Sequence, residues 1–458
     1  MPRFMAARSE GGQALASVPE TAPAPMLKKF VNVKDEEVGS VLLSFIYFFT
    51  LMCGYAILKP LRDEMATAGG VKNVAWVFTA TFGVMLVAVP AFSALVSRWP
   101  RQRVIPLVYR FFLVNLLGFF VVLTVGGVAR EQVARVFFVW VSVYNLFVVS
   151  IFWSFMADLF VSEQGRRLFG FIAAGGTVGM LVGPFLVKHL AEPLGATNLM
   201  LLTAVLLEVS AQCVRRLSHR GVIVRPREAA AEAPVGGGIF DGFRLLFSSP
   251  LLLGLGLQIL LYAATSTFLY NQQAHIVASV ASGTDARTAA FANIDFWVQA
   301  LTLVLQMVVA GRLMARFGLG LVMAVAPLVT AIGSLWLAVV PSMLVLIAFK
   351  SLRGATHYSL ERPAREVLFT SVDREAKYKS KGFIDTVVYR GSDSVSSWLY
   401  TGLDKLGMGT SALSLATIPL AGLWLAVSLW LARLARHPRP AAAPAATPAL
   451  ASPVDAAR

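Results

Sequence analysis

Apolar runs long enough to cross a bilayer recur down almost the whole of this 458-residue chain, and no other feature narrows its fold so far. A hydrocarbon core ~30 Å thick takes about 20 residues of helix at 1.5 Å per residue. Runs of that kind fall near 39–58, 74–96, 104–126, 135–160, 168–190, 197–217, 250–274, 288–311, 319–340, 342–358, 382–403 and 411–432. The run at 342–358 is interrupted by Lys350 and Arg353. Backbone N–H and C=O groups have no water to bond inside lipid, so each run is expected to be helical. The expectation is an all-α membrane protein with about twelve transmembrane helices. Composition agrees: 57% of the residues are hydrophobic and 14% charged, which excludes a soluble globular domain of this length.

A formal charge of +15 would suggest nucleic acid in a soluble protein, but here the cations sit in alternate loops. Arg98, Arg101 and Arg103, Arg166 and Arg167, Arg215 to Arg227, Arg312 and Arg316, and Lys377 to Lys381 share one side with Lys28, Lys29, Lys34 and Arg433 to Arg439. Basic loops mark the cytoplasmic face, so both termini are expected there, in a bacterial inner membrane, with lipid and a small solute as partners and no nucleic acid. Residues 1–35 lack the apolar core of a cleavable signal. That segment, the linker 218–240 and the Ala/Pro-rich tail 435–458 are expected to be disordered. They flank bundles at 36–217 and 241–434. Cys53 and Cys213 alone supply no disulfide or metal framework, and no cofactor is expected.

The linker divides the spans six and six, and the halves repeat. Gly-Phe-Ile at 170–172 returns at 382–384, and the same offset lays Gly391 on Gly179. GRLMARFG (311–318) between the eighth and ninth spans is similar to a loop of the major facilitator superfamily, which implies two six-helix bundles around a central cavity. In the fifth span Gly175, Gly179 and Gly183 form one ridge, a spacing that serves close helix packing more often than substrate contact.

Ionised groups at bilayer depth cost ~2.5–3.5 kcal/mol each, so those retained face a water-filled cavity or a partner. Lys59, Arg62 and Asp63 share a face of the first span if Pro60 bends the helix rather than ending it; a solvated end cap is the plainer reading. In the eleventh span Lys381, Asp385 and Tyr389 recur every four residues, while Arg390 and Asp393 are spaced to pair, as a helix lock or as a substrate contact. Asp295 lies deep in the eighth span and, like Asp385, is a candidate proton carrier. Lys350, Arg353 and His357 line one face of the tenth span with Glu361 beyond them; a metal there lacks further ligands and is opposed by the cations. Asp158, Arg166 and Arg167 mark a gate or an ordinary topology signal.

YSLERPAREVLFTSVDREAKYKSKGFIDTVV (358–388) resembles the ATP/ADP translocase family of plastids and intracellular bacteria, matching in order at Tyr358, Ser359, Leu360, Pro363, Arg365, Glu366, Asp373, Lys381, Ile384 and Asp385. YAILKPLRDE (55–64) and the stretch 141–160 are similar to that family's first and fourth spans. The resemblance implies nucleotide exchange through charged residues of the first, fourth, seventh and eleventh spans. Lys381 falls on the eleventh-span lysine and Arg62 where a lysine is usual, but Ser142 and a position near Tyr270 stand where the family has glutamates. The expected function is a secondary transporter working by alternating access on an anionic, nucleotide-like solute. Lys59, Arg62, Lys381 and Arg390 would meet the anion, Asp63, Asp385 and Asp393 would hold those cations between visits, and Tyr144 and Tyr389 would stack on a ring. A proton-coupled symporter or exporter is the alternative, and a membrane enzyme or receptor on the same scaffold a third. No phosphate-cradling Gly-rich loop or nucleophile–base cluster supports an enzyme.

Overall fold

The computed structural model describes residues 33–68, 71–98, 101–127, 129–160, 162–219, 239–307, 311–369, 372 and 380–436. Most of the expected N-terminal segment, linker and C-terminal tail lie outside these residues, as do Lys377 and Lys379. The first half comprises α1 (Asp35–Ala68), α2 (Val71–Arg98), α3 (Arg101–Val125), α4 (Arg130–Leu159), α5 (Ser162–Leu194) and α6 (Leu199–His219). After a short helix at Ile239–Ser248 the second half follows as α7 (Pro250–Val280), α8 (Thr284–Leu305), α9 (Gly311–Val339), α10 (Met343–Thr356), α11 (Tyr389–Lys405) and α12 (Thr410–Arg436).

Ten of these helices are long and apolar enough to cross a membrane. The other two, α10 and α11, are shorter, at 14 and 17 residues. Each is extended by a π-helical turn at its charged end: His357–Glu361 leads from α10 into a helix Arg362–Phe369, and Ile384–Val388 leads into α11. A π turn carries an extra residue per turn, is rare, and concentrates at functional sites.

Helix ends follow from local chemistry. Ser342 accepts a hydrogen bond from the Val345 N–H at the start of α10, and Pro250 opens α7, where its missing N–H costs nothing. Gly283 (φ +82°) turns the chain from α7 into α8, and Gly407 (φ +86°) from α11 into α12, conformations that other residues adopt only with strain. Pro60 does not stop α1, which runs on to Ala68. This keeps Lys59, Arg62 and Asp63 on one continuous helix.

In the first half, α1 packs on α5 and α6, and α3 on α6. A Cβ at Gly175 would lie 2.5 Å from the Phe45 carbonyl oxygen, and one at Gly179 would lie 2.5 Å from that of Phe49. The glycine ridge is therefore where α5 meets the α1 backbone. A large apolar core fills most of this half, with Phe48 and Phe152 stacked at 4.0 Å and Tyr47 bonded to Tyr109. In the second half α12 packs on α9 and α7, and α10 on α8. Side chains such as Val87, Phe111 and Leu344 stand outward on the helix surfaces, as lipid-facing residues do.

The halves meet through two related pairings, α2 with α11 and α5 with α8. Adding six to one helix number and subtracting six from the other turns each pair into the other, which is the signature of a pseudo-two-fold axis. Several links between the halves lie toward the end opposite the chain termini. Arg130, opening α4, donates to Thr284, opening α8, at 2.6 Å. The Ala196 N–H donates to Asp285 at 2.8 Å. Trp398 of α11 donates to Thr79 of α2 at 3.0 Å, and its ring meets Trp76 edge-on at 5.1 Å. At the end bearing the termini, Arg167 pairs with Glu37 at 3.1 Å within the first half, and Lys381 pairs with Glu366 at 2.6 Å within the second.

Candidate functional site

An ion pair joins the halves at mid-depth: Lys59 of α1 donates to Asp295 of α8, 236 positions away. Lys59 sits nine residues before the end of α1, about 13 Å inside it at 1.5 Å per residue. It is therefore not an end cap. One turn on, Asp63 lies 3.8 Å from the Lys59 ammonium and accepts from Arg62 at 3.0 and 2.7 Å. Tyr270 of α7 also donates to Asp63, at 3.1 Å, so this carboxylate too is held from both halves. The Arg62 guanidinium lies 4.7 Å from the centre of the Phe138 ring.

Lys350 of α10 joins the group, donating to Gln273 of α7 within electrostatic range of Asp63 and Asp295. On α11, Arg390 pairs with Asp393 at 3.6 Å; Asp393 also accepts from Thr267 of α7 at 2.9 Å and feels Arg62 electrostatically. Four cations thus surround three carboxylates where α1, α7, α8, α10 and α11 converge. Asp63 is buried, while Lys59 and Arg390 keep 24% and 29% of their side chains accessible. Such partly open cations, each with a carboxylate to return to, suit an anion that comes and goes.

The structure separates the other expected residues. Asp385 is exposed on the π turn preceding α11, toward the end bearing the termini, within electrostatic range of Arg365, Lys381, Arg362 and Glu366. Lys381 belongs to this second cluster through its pair with Glu366, not to the junction group. Its expected alignment with Asp385 and Tyr389 is altered by the π turn, which shifts the helical register between them. Tyr389 lies beside Arg390 (5.4 Å from its ring centre) and 6.3 Å from Tyr262. Tyr144 is a correction: it is buried in the first half's core, stacked on Trp140 at 5.4 Å and edge-on to Phe112, with a hydroxyl that has no partner. An aromatic ring in a dense apolar helix packs there rather than facing a solute. Asp158 is exposed at the end of α4, and the Arg166 side chain lies outside the described residues.

Sequence reasoning placed Lys350 on a cationic face without assigning it to the site, and missed Gln273 and Thr267. Lys350 was legible as the cation that broke the weakest apolar run. The partners on α7 gave no signal, because neutral amides and hydroxyls carry no insertion penalty large enough to stand out. Ser142 bonds back to the Phe138 carbonyl at 3.0 Å, whereas Tyr270 reaches Asp63.

The fold is that of the major-facilitator type, shared with solved membrane transporters. Among solved structures it is similar to the nucleoside transporter NupG (TM-score 0.61, 12% identity, 86% of this chain and 98% of that one). It is also similar to a D-xylose-proton symporter (TM-score 0.60, 12% identity, 88% and 98%) and to a POT family transporter in complex with 5-aminolevulinic acid (0.61, 10%, 87% and 96%). In sequence it is a distant homologue of ADP,ATP carrier protein 1 of Chlamydia trachomatis serovar D, 22% identical across 89% of this chain and 91% of the carrier. The protein of the same name from Chlamydia muridarum is 23% identical over the same shares. No protein-family model matches the chain.

Proposed function

We propose that the protein exchanges anionic, nucleotide-like solutes across a bacterial inner membrane by alternating access, with both termini in the cytoplasm. The observation that carries this reading is the junction cluster, in which Lys59, Arg62, Lys350 and Arg390 outnumber Asp63, Asp295 and Asp393. Lysine meets a phosphate as a point charge and arginine as a two-pronged donor. The distant likeness to ADP,ATP carriers supports a nucleotide as the anion.

The geometry also supplies a way to couple binding to movement. Lys59–Asp295 and Tyr270–Asp63 cross between the halves, as do the Arg130–Thr284 and Ala196–Asp285 links at the end opposite the termini. A polyanion that draws Lys59 and Arg62 to itself competes with Asp295 and Asp63 for them. Occupancy therefore weakens ties between the halves, and a ligand shifts a two-state equilibrium by its differential affinity for the states.

The test is uptake of radiolabelled ADP into proteoliposomes, with and without ATP inside. Uptake that requires internal nucleotide and is lost in Lys59→Ala supports exchange. Equal counts with and without protein, for ADP and for ATP alike, would remove the nucleotide from the proposal.

A further inference from the structure

Along α10 the charged side chains descend α7 in order: Lys350 to Gln273, Arg353 to the Tyr262 carbonyl, His357 to the Tyr262 ring, and Glu361 to Gln258. The junction site uses only the first. At the π turn His357–Glu361, an imidazole and a carboxylate are buried against each other with His357 Nδ1 2.7 Å from Glu361 Oε2. They are 4% and 0% exposed. Gln258 donates to the other carboxylate oxygen at 3.0 Å, and the imidazole stacks on Tyr262 at 3.6 Å, the ring planes 6° apart.

We infer that the His357–Glu361 pair binds a proton that travels with the anion. At 2.7 Å the nitrogen and oxygen must share a hydrogen, and either group can hold it. Imidazole is the side chain whose ordinary charge change falls between about pH 5 and 8. One proton added to the pair turns it from singly negative to neutral, which makes it able to gain and lose charge without leaving a bare ion in an apolar helix bundle.

The surroundings link that charge to an anion. The ionisable groups about His357 are Glu361 and Arg353 on its own helix, Arg365 one turn beyond, Tyr358 beside it, Tyr262 on α7 and Tyr389 on α11. α9 and α12 present Thr330 and Trp424, neither of which titrates, and α8 presents the Thr302 carbonyl to Ser359. Arg353 is buried among neutral oxygens only, those of Thr330, Tyr262, Thr265 and Ser266. Arg365 is 8% exposed, its Nε–H has no acceptor, and Asp385 lies within its electrostatic range. Glu361 and Asp385 are carboxylates within electrostatic range of this region. A further proton adds one positive charge beside Arg353 and Arg365, and an anion within electrostatic reach offsets it. Proton and anion therefore favour each other's binding, and by linkage the effect is reciprocal. A static histidine–glutamate bond would brace the π turn but couple nothing.

The coupling rests on the transporter reading above; proton binding does not, and the two are tested separately. In nuclear magnetic resonance of the full chain in detergent with ¹⁵N-labelled histidine, the ring signals that vanish in His357→Gln identify His357. They are expected to titrate between about pH 5 and 8 and to move their midpoint in Glu361→Gln. In proteoliposomes carrying labelled ADP, an acid exterior is expected to raise uptake about 5-fold or more in the wild type and not in Glu361→Gln, which keeps ADP-for-ATP exchange. A His357 signal fixed in one state across that range overturns the site. So does a stimulation by acid that is equal in both proteins. If the wild type carries no ADP, the nucleotide reading falls and the resonance titration alone decides the proton site.

Discussion

The two halves share a fold and differ in what they bury. The first is organised around one large apolar core with a small satellite at Ala66, Val77 and Phe138, and α5 is pressed through its glycine ridge onto the α1 backbone. The second divides its core into three separate clusters, and between them lie Arg353, His357, Glu361 and two π turns. The repeat-related glycines show the contrast directly: Gly179 has no room for a Cβ, whereas at Gly391 the nearest atom, on Phe82, is 3.7 Å away. A densely packed bundle behaves as a block, because displacing any element opens voids. A bundle seamed with polar contacts has alternative pairings within reach. The lesson is that a pseudo-symmetric carrier can put stiffness in one repeat and charge chemistry in the other.

That contrast can be broken most severely at the glycine ridge. Gly179→Val sets side-chain atoms against fixed α1 backbone and is expected to cost ~3 kcal/mol or more, abolishing monodisperse protein in size-exclusion chromatography, while Gly391→Ala elutes normally. Next comes the junction: Lys59→Ala removes a charged contact, and ADP exchange is expected to fall at least ~10-fold with the protein still folded. Unchanged flux would detach this lysine from the site. Within the polar seam, Arg353→Lys cannot span Thr330, Thr265 and Ser266 together, and a loss of about 2 kcal/mol should appear in thermal unfolding. The smallest effect is expected at Tyr144→Phe, which deletes a buried hydroxyl without a partner: stability equal or up to ~1 kcal/mol higher, with transport intact. Lost transport there would return Tyr144 to the site.

Much of the site was legible as charge in the wrong place. Lys59, Arg62, Asp63, Asp295, Arg390 and Asp393 are conspicuous because hydrocarbon penalises them, and the structure brings them together. Lys381 and Asp385 were equally conspicuous but fall in a separate cluster nearer the termini, since the π turn between Lys381 and Tyr389 does not show in residue spacing. Tyr144 misled because an aromatic residue looks the same in sequence whether it faces a solute or a neighbouring helix. The buried pair His357–Glu361 was visible as residues four apart, but its enclosure by Tyr262 and Gln258 was not.

Sequence by itself determined the membrane, the helices and the duplication, because the exclusion of unpaired polar groups from lipid acts on each segment locally, whatever its neighbours. Only the tertiary structure decided which ions pair across the halves and which within one, that α2 meets α11 and α5 meets α8, and where a helix takes its extra residue. These depend on distances between groups as far apart as Lys59 and Asp295, 236 positions along the chain, and no local rule fixes such a distance.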